Sequence, residues 1–395
     1  MAWNEKILDK FADVLIKHSF ERVDFRKEWE TKRKRLLITY WPPAEPLAKV
    51  ICQKIWKLGG NILLDLRPEW FERDFFKYAS DKVIDAPASL YEKTKVQHAA
   101  ARLVILSDEN TKSLARIDHS KRARRAKASK SLQEMIMKMD EKGIYLLPWC
   151  ITIFPTHAFA QDSDMSIDEF SNYLEKIMFL HKKDPIKFWK NEKLKQEKFI
   201  EKYLKNAKKL RIKHKDGSDL VMNVSNHLWI PCYGDENFPD GEIFNAPHKN
   251  SVSGTIKFLK LPQCDHGGPE VKGIVIKLKN GKVINYKAET GQSYLKNFFE
   301  NNPEAKSIGE ISFGLNPNVN FISKEILLDE KMGGAIHMAF GRAYKNHILK
   351  GSRNSLNQST VHWDMIKDMK DGEIIIDDKT TLIWNNKKKE WVKKY

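Results

Sequence analysis

The sequence predicts an α/β chain, α+β overall, with a mostly parallel sheet and helices in its N-terminal part and a strand-rich C-terminal part. Two observations predict it. Up to about residue 205, short all-apolar runs alternate with amphipathic stretches, the pattern of parallel strands covered by crossover helices. Beyond that point Asp-Gly and Asn-Gly pairs interrupt stretches of alternating apolar and polar residues, the pattern of antiparallel hairpins. The 395 residues are enough for two domains, expected at 1–205 and 206–395.

The elements follow in order. Ile7, Phe11, Val14 and Leu15 recur at helical spacing in an N-terminal amphipathic helix. Residues 36–41 read as a buried strand, and Pro42-Pro43 lead into a helix over 47–58. A second strand over 61–66 precedes a helix with Pro68 near its first turn. Residues 102–107 repeat the pattern, and 144–154 read as a strand interrupted at Pro148. A charged helix over about 185–210 closes this part. Hairpins are then expected at Asp216-Gly217 and Asn280-Gly281, with alternating strands after 371 and helices over 291–301 and 335–345.

Composition excludes several classes. The four cysteines form no Cys-x-x-Cys pair, which disfavours a disulfide scaffold or structural zinc and fits a reducing, cytoplasmic setting. No apolar run approaches the roughly 20 residues of a membrane span, so no membrane partner is expected. The net charge of +17 raises a nucleic-acid role, but the surplus is spread along the chain. Its densest run, from Lys121 to Lys127, contains no aromatic residue for base stacking and reads as a solvated helical face. A nucleic-acid partner is therefore not expected. Glycine-rich phosphate loops and a Gly-x-Ser-x-Gly elbow are absent from the sequence.

Chemistry concentrates between residues 237 and 364. Glu242 follows a Pro-Asp-Gly turn; taken alone it reads as a surface carboxylate. Glu310 lies inside an apolar strand pattern between Gly309 and Gly314, where a buried carboxylate needs a partner or a cation; a strand-edge Glu facing water is the other reading. His337 and Tyr344, seven apart, share a face if their segment is helical. His362 and Asp364 share a strand face by their i, i+2 spacing. Together three carboxylates and two imidazoles suit Zn²⁺, Co²⁺ or Mn²⁺, with Mg²⁺ as an alternative, and they exceed the needs of one catalytic zinc. Two cations about 3.5–4 Å apart, bridged by a carboxylate and a water, is a known hydrolytic design.

These residues stand in strings that resemble the thermophilic metallo-aminopeptidases of the aminopeptidase T and aminopeptidase S type. The strings are Asn237 to Pro247, Gly309-Glu310, His337 to Tyr344, and Asn357-Gln358-Ser359 before His362-Trp363-Asp364; Pro148-Trp149-Cys150-Ile151 and Pro155-Thr156 extend the likeness into the N-terminal half. The resemblance implies a two-domain homodimer that removes N-terminal residues from peptide substrates with two divalent metal ions. Carried onto this sequence, Glu242, Glu310, His337, His362 and Asp364 are implied as metal ligands, with Glu310 as the bridge, and Tyr344 as the active-site tyrosine. Glu330, in a stretch spaced differently ahead of His337, is an additional candidate ligand, and Tyr344 is a candidate metal contact. A carboxylate such as Glu242 or Glu330 is the candidate proton shuttle. A dimetal amidase acting on a small molecule is the competing reading, since the same ligands serve either substrate.

Overall fold

A computed structural model describes residues 3–25, 35–140, 143–264, 268–344 and 355–394. The chain forms two compact units, Met1–Lys190 with Gly234–Pro239, and Asn191–Tyr233 with Asp240–Tyr395.

The first unit carries a five-stranded sheet in the order Asn61–Leu66, Arg35–Tyr40, Ala99–Leu106, Trp149–Ile153 and Asn237–Phe238, every neighbouring pair parallel. Parallel neighbours require crossovers, and the helices expected from periodicity supply them. Helix Glu5–Val14 starts at Asn4, whose side chain accepts the Ile7 N–H, and buries Leu8, Phe11 and Val14. Helix Glu45–Lys57 buries Leu47, Ile51 and Ile55 at four-residue spacing. The strand expected to begin at 144 begins at Trp149: the Pro148 carbonyl already accepts the Arg102 N–H, but proline has no N–H to continue the ladder. The largely apolar run 61–66, interrupted by Asp65, lies at the sheet edge, and Leu64 and Leu66 are exposed. The basic run falls on helix His119–Ala128, where Arg124 pairs with Asp81 and Asp85, and Arg125 donates to the Ala86 carbonyl.

The second unit holds two larger sheets. Its eight-stranded sheet runs Lys282–Lys287, Ile274–Lys279, Ser253–Phe258, Asp219–Asn223, Lys209–His214, Gly372–Ile376, Thr380–Asn385 and Glu390–Lys393, antiparallel throughout. Asn280 and Gly281 have φ of 49° and 76°, the paired positive angles of the expected tight hairpin. The helix expected to reach residue 210 ends earlier: Pro185–Phe199 is α-helical, a wider turn follows over Ile200–Leu204, and Lys209 opens a strand.

The five-stranded sheet runs His362–Asp368, Ala335–Gly341, Ile308–Gly314, Glu242–Asn245 and Ile230–Cys232, also antiparallel. One correction follows. Residues 335–341 were expected in a helix, and they form a strand. Their apolar residues Ile336, Met338 and Phe340 recur every two positions, which puts them on one side of a strand and would scatter them around a helix. Residue 345 lies outside the described residues. These three join Ile311, Phe313, Trp363 and Met365, with Ile212, Leu220, Ile256 and Ile374 of the larger sheet, in one buried apolar cluster. Helix Gln292–Asn301 adds Leu295, Phe298 and Phe299 to it.

Candidate metal centre

Because strand side chains alternate, fixing one face of the five-stranded sheet against the core commits the other face. That second face carries Glu242, Glu310, Ser312, His337, His362 and Asp364. The register brings them together: Ser312 stands opposite His337, Ala339 opposite Asp364, Gly341 opposite His362, and Gly314 opposite Glu242. The small Ala339 also faces Glu310, so it stands opposite two of the carboxylates. Ladder register shifts between Ile308 and Glu310, which leaves Gly309 as an extra residue. A Cβ there would run into the carbonyl oxygens of Gly341 and Arg342, so glycine permits this close approach.

The distances describe a converging donor set. His337 Nε2 lies 3.0 Å from Glu310 Oε1, 3.4 Å from Glu242 Oε2 and 3.8 Å from Asp364 Oδ1. His362 Nε2 lies 3.2 Å from Asp364 Oδ2. Each imidazole is held from behind. His337 Nδ1 is 3.1 Å from the Glu330 carbonyl and His362 Nδ1 is 2.8 Å from the Arg342 carbonyl. A carbonyl only accepts, so Nδ1 carries the proton in each ring and Nε2 offers its lone pair toward the carboxylates in the neutral ring. Two lone-pair nitrogens aimed at carboxylate oxygens repel unless a proton or a cation lies between.

Electrostatics state the same demand. Burial lowers the proton affinity of both imidazoles, yet the carboxylates more than reverse it: His337 is pushed up to about 10, by Glu242, Glu310 and Asp364, and His362 to about 10, chiefly by Asp364. Burial raises Glu310 above the usual carboxylate range and carries Glu330 up to about 8. Burial also raises the Tyr344 phenol, helped by Glu310 and Asp364, so it stays protonated. Of five carboxylates here, those of Asp240, Glu242 and Glu330 lie against the buried ammonium of Lys331, and those of Glu310 and Asp364 against the two imidazoles. Four formal negative charges remain when all five ionise. Two divalent cations would cancel them with both histidines neutral. Asp364 Oδ1 is moreover buried and makes no hydrogen bond. Donor chemistry, spare charge and this unused oxygen all fit bound divalent metal.

The donor atoms form overlapping sets, within each of which all atoms lie within 4.8 Å of one another: Glu242, Glu310 and His337; Glu310, His362 and Asp364; Glu330, His337 and Asp364; and Cys232, Asp240 and Glu242. The structure thus brings together all five residues singled out from the sequence, and Glu330 with them. Tyr344 reaches the group differently from its expected helical pairing with His337. It follows the end of strand Ala335–Gly341, with its ring 5.1 Å from that of His362 and 6.5 Å from that of Phe244.

Sequence reasoning missed Lys331, Asp240 and Ser312. Lys331 is fully buried and reaches Glu242 Oε1 at 2.7 Å, Glu330 Oε1 at 2.7 Å and Asp240 Oδ1 at 3.3 Å. Ser312 Oγ donates to Glu242 Oε2 at 2.9 Å. The available signal for Asp240 and Lys331 was adjacency, since each lies within two residues of a chosen acid. Ser312 could have been found from its i+2 spacing to Glu310.

Three comparisons place the chain among known proteins. A family model described as thermophilic metalloprotease (M29) matches residues 4–386. Aminopeptidase T of Thermus thermophilus is 26% identical over 392 residues, 90% of this chain and 91% of that one. Aminopeptidase 2 of Geobacillus stearothermophilus is 26% identical over 246 residues, 55% of this chain, and the match spans 58% of that protein's length. A solved structure of wild-type AmpT from Thermus thermophilus superposes with a TM-score of 0.78 at 22% identity, covering 98% of this chain and 99% of that one, a likeness of fold. With a family model matched across almost its whole length, the chain belongs to the thermophilic metalloprotease (M29) family.

Proposed function

We propose that this chain is a metallo-aminopeptidase in which Glu242, Glu310, His337, His362 and Asp364 hold two divalent cations. The observation that carries the reading is the convergence of two imidazole Nε2 atoms and three buried carboxylates on one sheet face, with negative charge left over. Its assignment to peptides rests on the family and on relatives named aminopeptidases. Glu310 belongs to both the set with Glu242 and His337 and the set with His362 and Asp364, which supports it as the bridging ligand. The donor set suits zinc, cobalt or manganese, with magnesium as the harder alternative.

Bound divalent cations would supply Lewis acidity, activating water and polarising the scissile carbonyl. The protein's own groups do the rest. Carbonyl contacts fix the Nδ1 protons of His337 and His362 and thereby the direction of each ring. Tyr344, held protonated, donates its phenolic hydrogen to the oxygen that becomes negative as the carbonyl is attacked. Glu330 carries the proton to the leaving amine. Burial raises the proton affinity of Glu330, whereas Lys331 and His337 hold Glu242 below the ordinary carboxylate range despite its burial. Among the described residues no helix is long and apolar enough to cross a membrane, and a cytoplasmic homodimer is the setting we propose with this activity.

Aminoacyl-anilides and their N-acetylated analogues, each offered with Zn²⁺, Co²⁺ or Mn²⁺, test the reading. Free-amine substrates are expected to be cleaved and blocked ones left intact. Equal cleavage of both contradicts exopeptidase action and returns the amidase reading. Sedimentation of the full chain reports the oligomeric state.

A further inference from the structure

Beside the proposed ligands sits a charge that the mechanism does not use. Lys331 has no exposed side-chain surface, and its Nζ lies against Asp240, Glu242 and Glu330 at 3.3, 2.7 and 2.7 Å. Its position is built rather than incidental. The Asn316 N–H donates to the Lys331 carbonyl at 3.0 Å, while the Asn316 side-chain amide donates to the Asp240 carbonyl at 3.1 Å, so one residue ties the ammonium and its carboxylate partner together. Upstream, the Asp329 carboxylate accepts from Ser323 Oγ at 2.6 Å and from the N–H groups of Ser323 and Lys324 at 2.8 and 2.9 Å, pinning the turn that delivers residues 330 and 331. The surrounding donors Cys232, Asp240 and Glu242 lie within 4.8 Å of one another, close enough to hold a cation of their own.

We propose that Lys331 is a positioning residue that serves as a resident cation of the centre: by occupying Oε1 of Glu242 it leaves Oε2 alone for the metal pair, and by filling the space among Asp240, Glu242 and Glu330 it keeps a third cation out. Glu242 then has one committed oxygen and one available. Oε1 is on the ammonium, and Oε2 faces His337 at 3.4 Å with Ser312 Oγ donating to it at 2.9 Å. A single-oxygen ligand leaves more of a cation's coordination sphere open to substrate than a chelating one. The fixed positive charge also weakens binding of the divalent pair, since like charges at close range repel in a desolvated site. The inference rests on the metal-pair reading above.

Co²⁺ binding to the full-length protein, measured by competition with a chelating dye, tests it on wild type, Lys331→Met and Lys331→Gln. The glutamine variant keeps a donor for the carboxylates and guards against a methionine variant that does not fold; circular dichroism and thermal unfolding check both. With the resident cation gone, either variant is expected to bind Co²⁺ at least about tenfold more tightly and to gain more in Tm on Co²⁺ addition than wild type does. Its activity at saturating Co²⁺ falls, because Glu242 is free to chelate. A lysine that merely props the fold gives the opposite sign: its loss loosens the site. Folded variants with unchanged or weaker Co²⁺ affinity overturn the inference while leaving the metal-pair reading intact. Failure of the wild type itself to bind Co²⁺ overturns that reading, and this inference with it.

Discussion

His337 Nε2 stands 3.0 Å from Glu310 Oε1, across two neighbouring antiparallel strands whose other faces are buried in the apolar core. Each side chain is placed by the alternation of its strand, so the pair is fixed by the same packing that stabilises the sheet.

Replacing Glu310 by Gln keeps the shape and removes the charge. Metal binding is expected to fall at least about a hundredfold, and peptidase activity with it. Dialysis followed by metal analysis checks the first part. A variant that keeps full metal occupancy contradicts the assignment of Glu310 as the bridge.

The two faces of strand Ala335–Gly341 should separate function from stability. Phe340→Ala empties a fully buried position in the core and is expected to cost about 3–5 kcal/mol of stability, while the protein that remains folded binds metal nearly as wild type does. His337→Ala is expected to do the reverse, with metal affinity lost and a smaller change in metal-free stability. Denaturant unfolding and metal titration on the two variants decide it.

Gly309 tests the bulge. Alanine there forces a Cβ against the carbonyl oxygens of Gly341 and Arg342, so Gly309→Ala is expected to cost about 2–4 kcal/mol and to displace Glu310 from His337. Loss of metal affinity together with loss of stability is the expected signature. Wild-type behaviour in both measurements would show that the strand relaxes without moving the site.

A pH effect is expected far from the centre. Burial works to raise Asp65, but the ammonium of Lys95 at 2.7 Å and the guanidinium of Arg67 at 2.9 Å hold it below the ordinary carboxylate value. A lowered folded-state value stabilises the fold above the unfolded-state value of about 3.9 and ceases to do so as pH falls through the folded-state value. Asp65→Asn should therefore lower stability at pH 7 by about 1–2 kcal/mol. The gap to wild type should narrow below about pH 4. Thermal unfolding of both proteins from pH 7 to pH 2.5 measures it. A gap constant with pH contradicts the pairing.

Much of this architecture was legible in the sequence. Apolar runs pointed to the parallel sheet, and Asn280-Gly281 to a hairpin of the antiparallel one, because these signals are local. Convergence of Glu242, Glu310, His337, His362 and Asp364 was legible as a set of residue types that single strands could not explain. The strand at 335–341 was misread because the apolar Ala335 and Ala339 on its other face blur the alternation with Ile336, Met338 and Phe340, and because seven-residue spacing between His337 and Tyr344 mimics two helical turns. Lys331 was missed for a different reason. A lysine between Glu330 and Met332 reads as a surface residue, and only long-range pairing with Asp240 and Glu242, some ninety positions earlier, reveals its burial.

Anomalous scattering from crystals grown with Co²⁺ addresses the central claim most directly. Two peaks per chain are predicted, one contacted by Glu242 and His337, the other by His362 and Asp364, with Glu310 touching both. A single peak, or peaks away from these five side chains, would contradict the account.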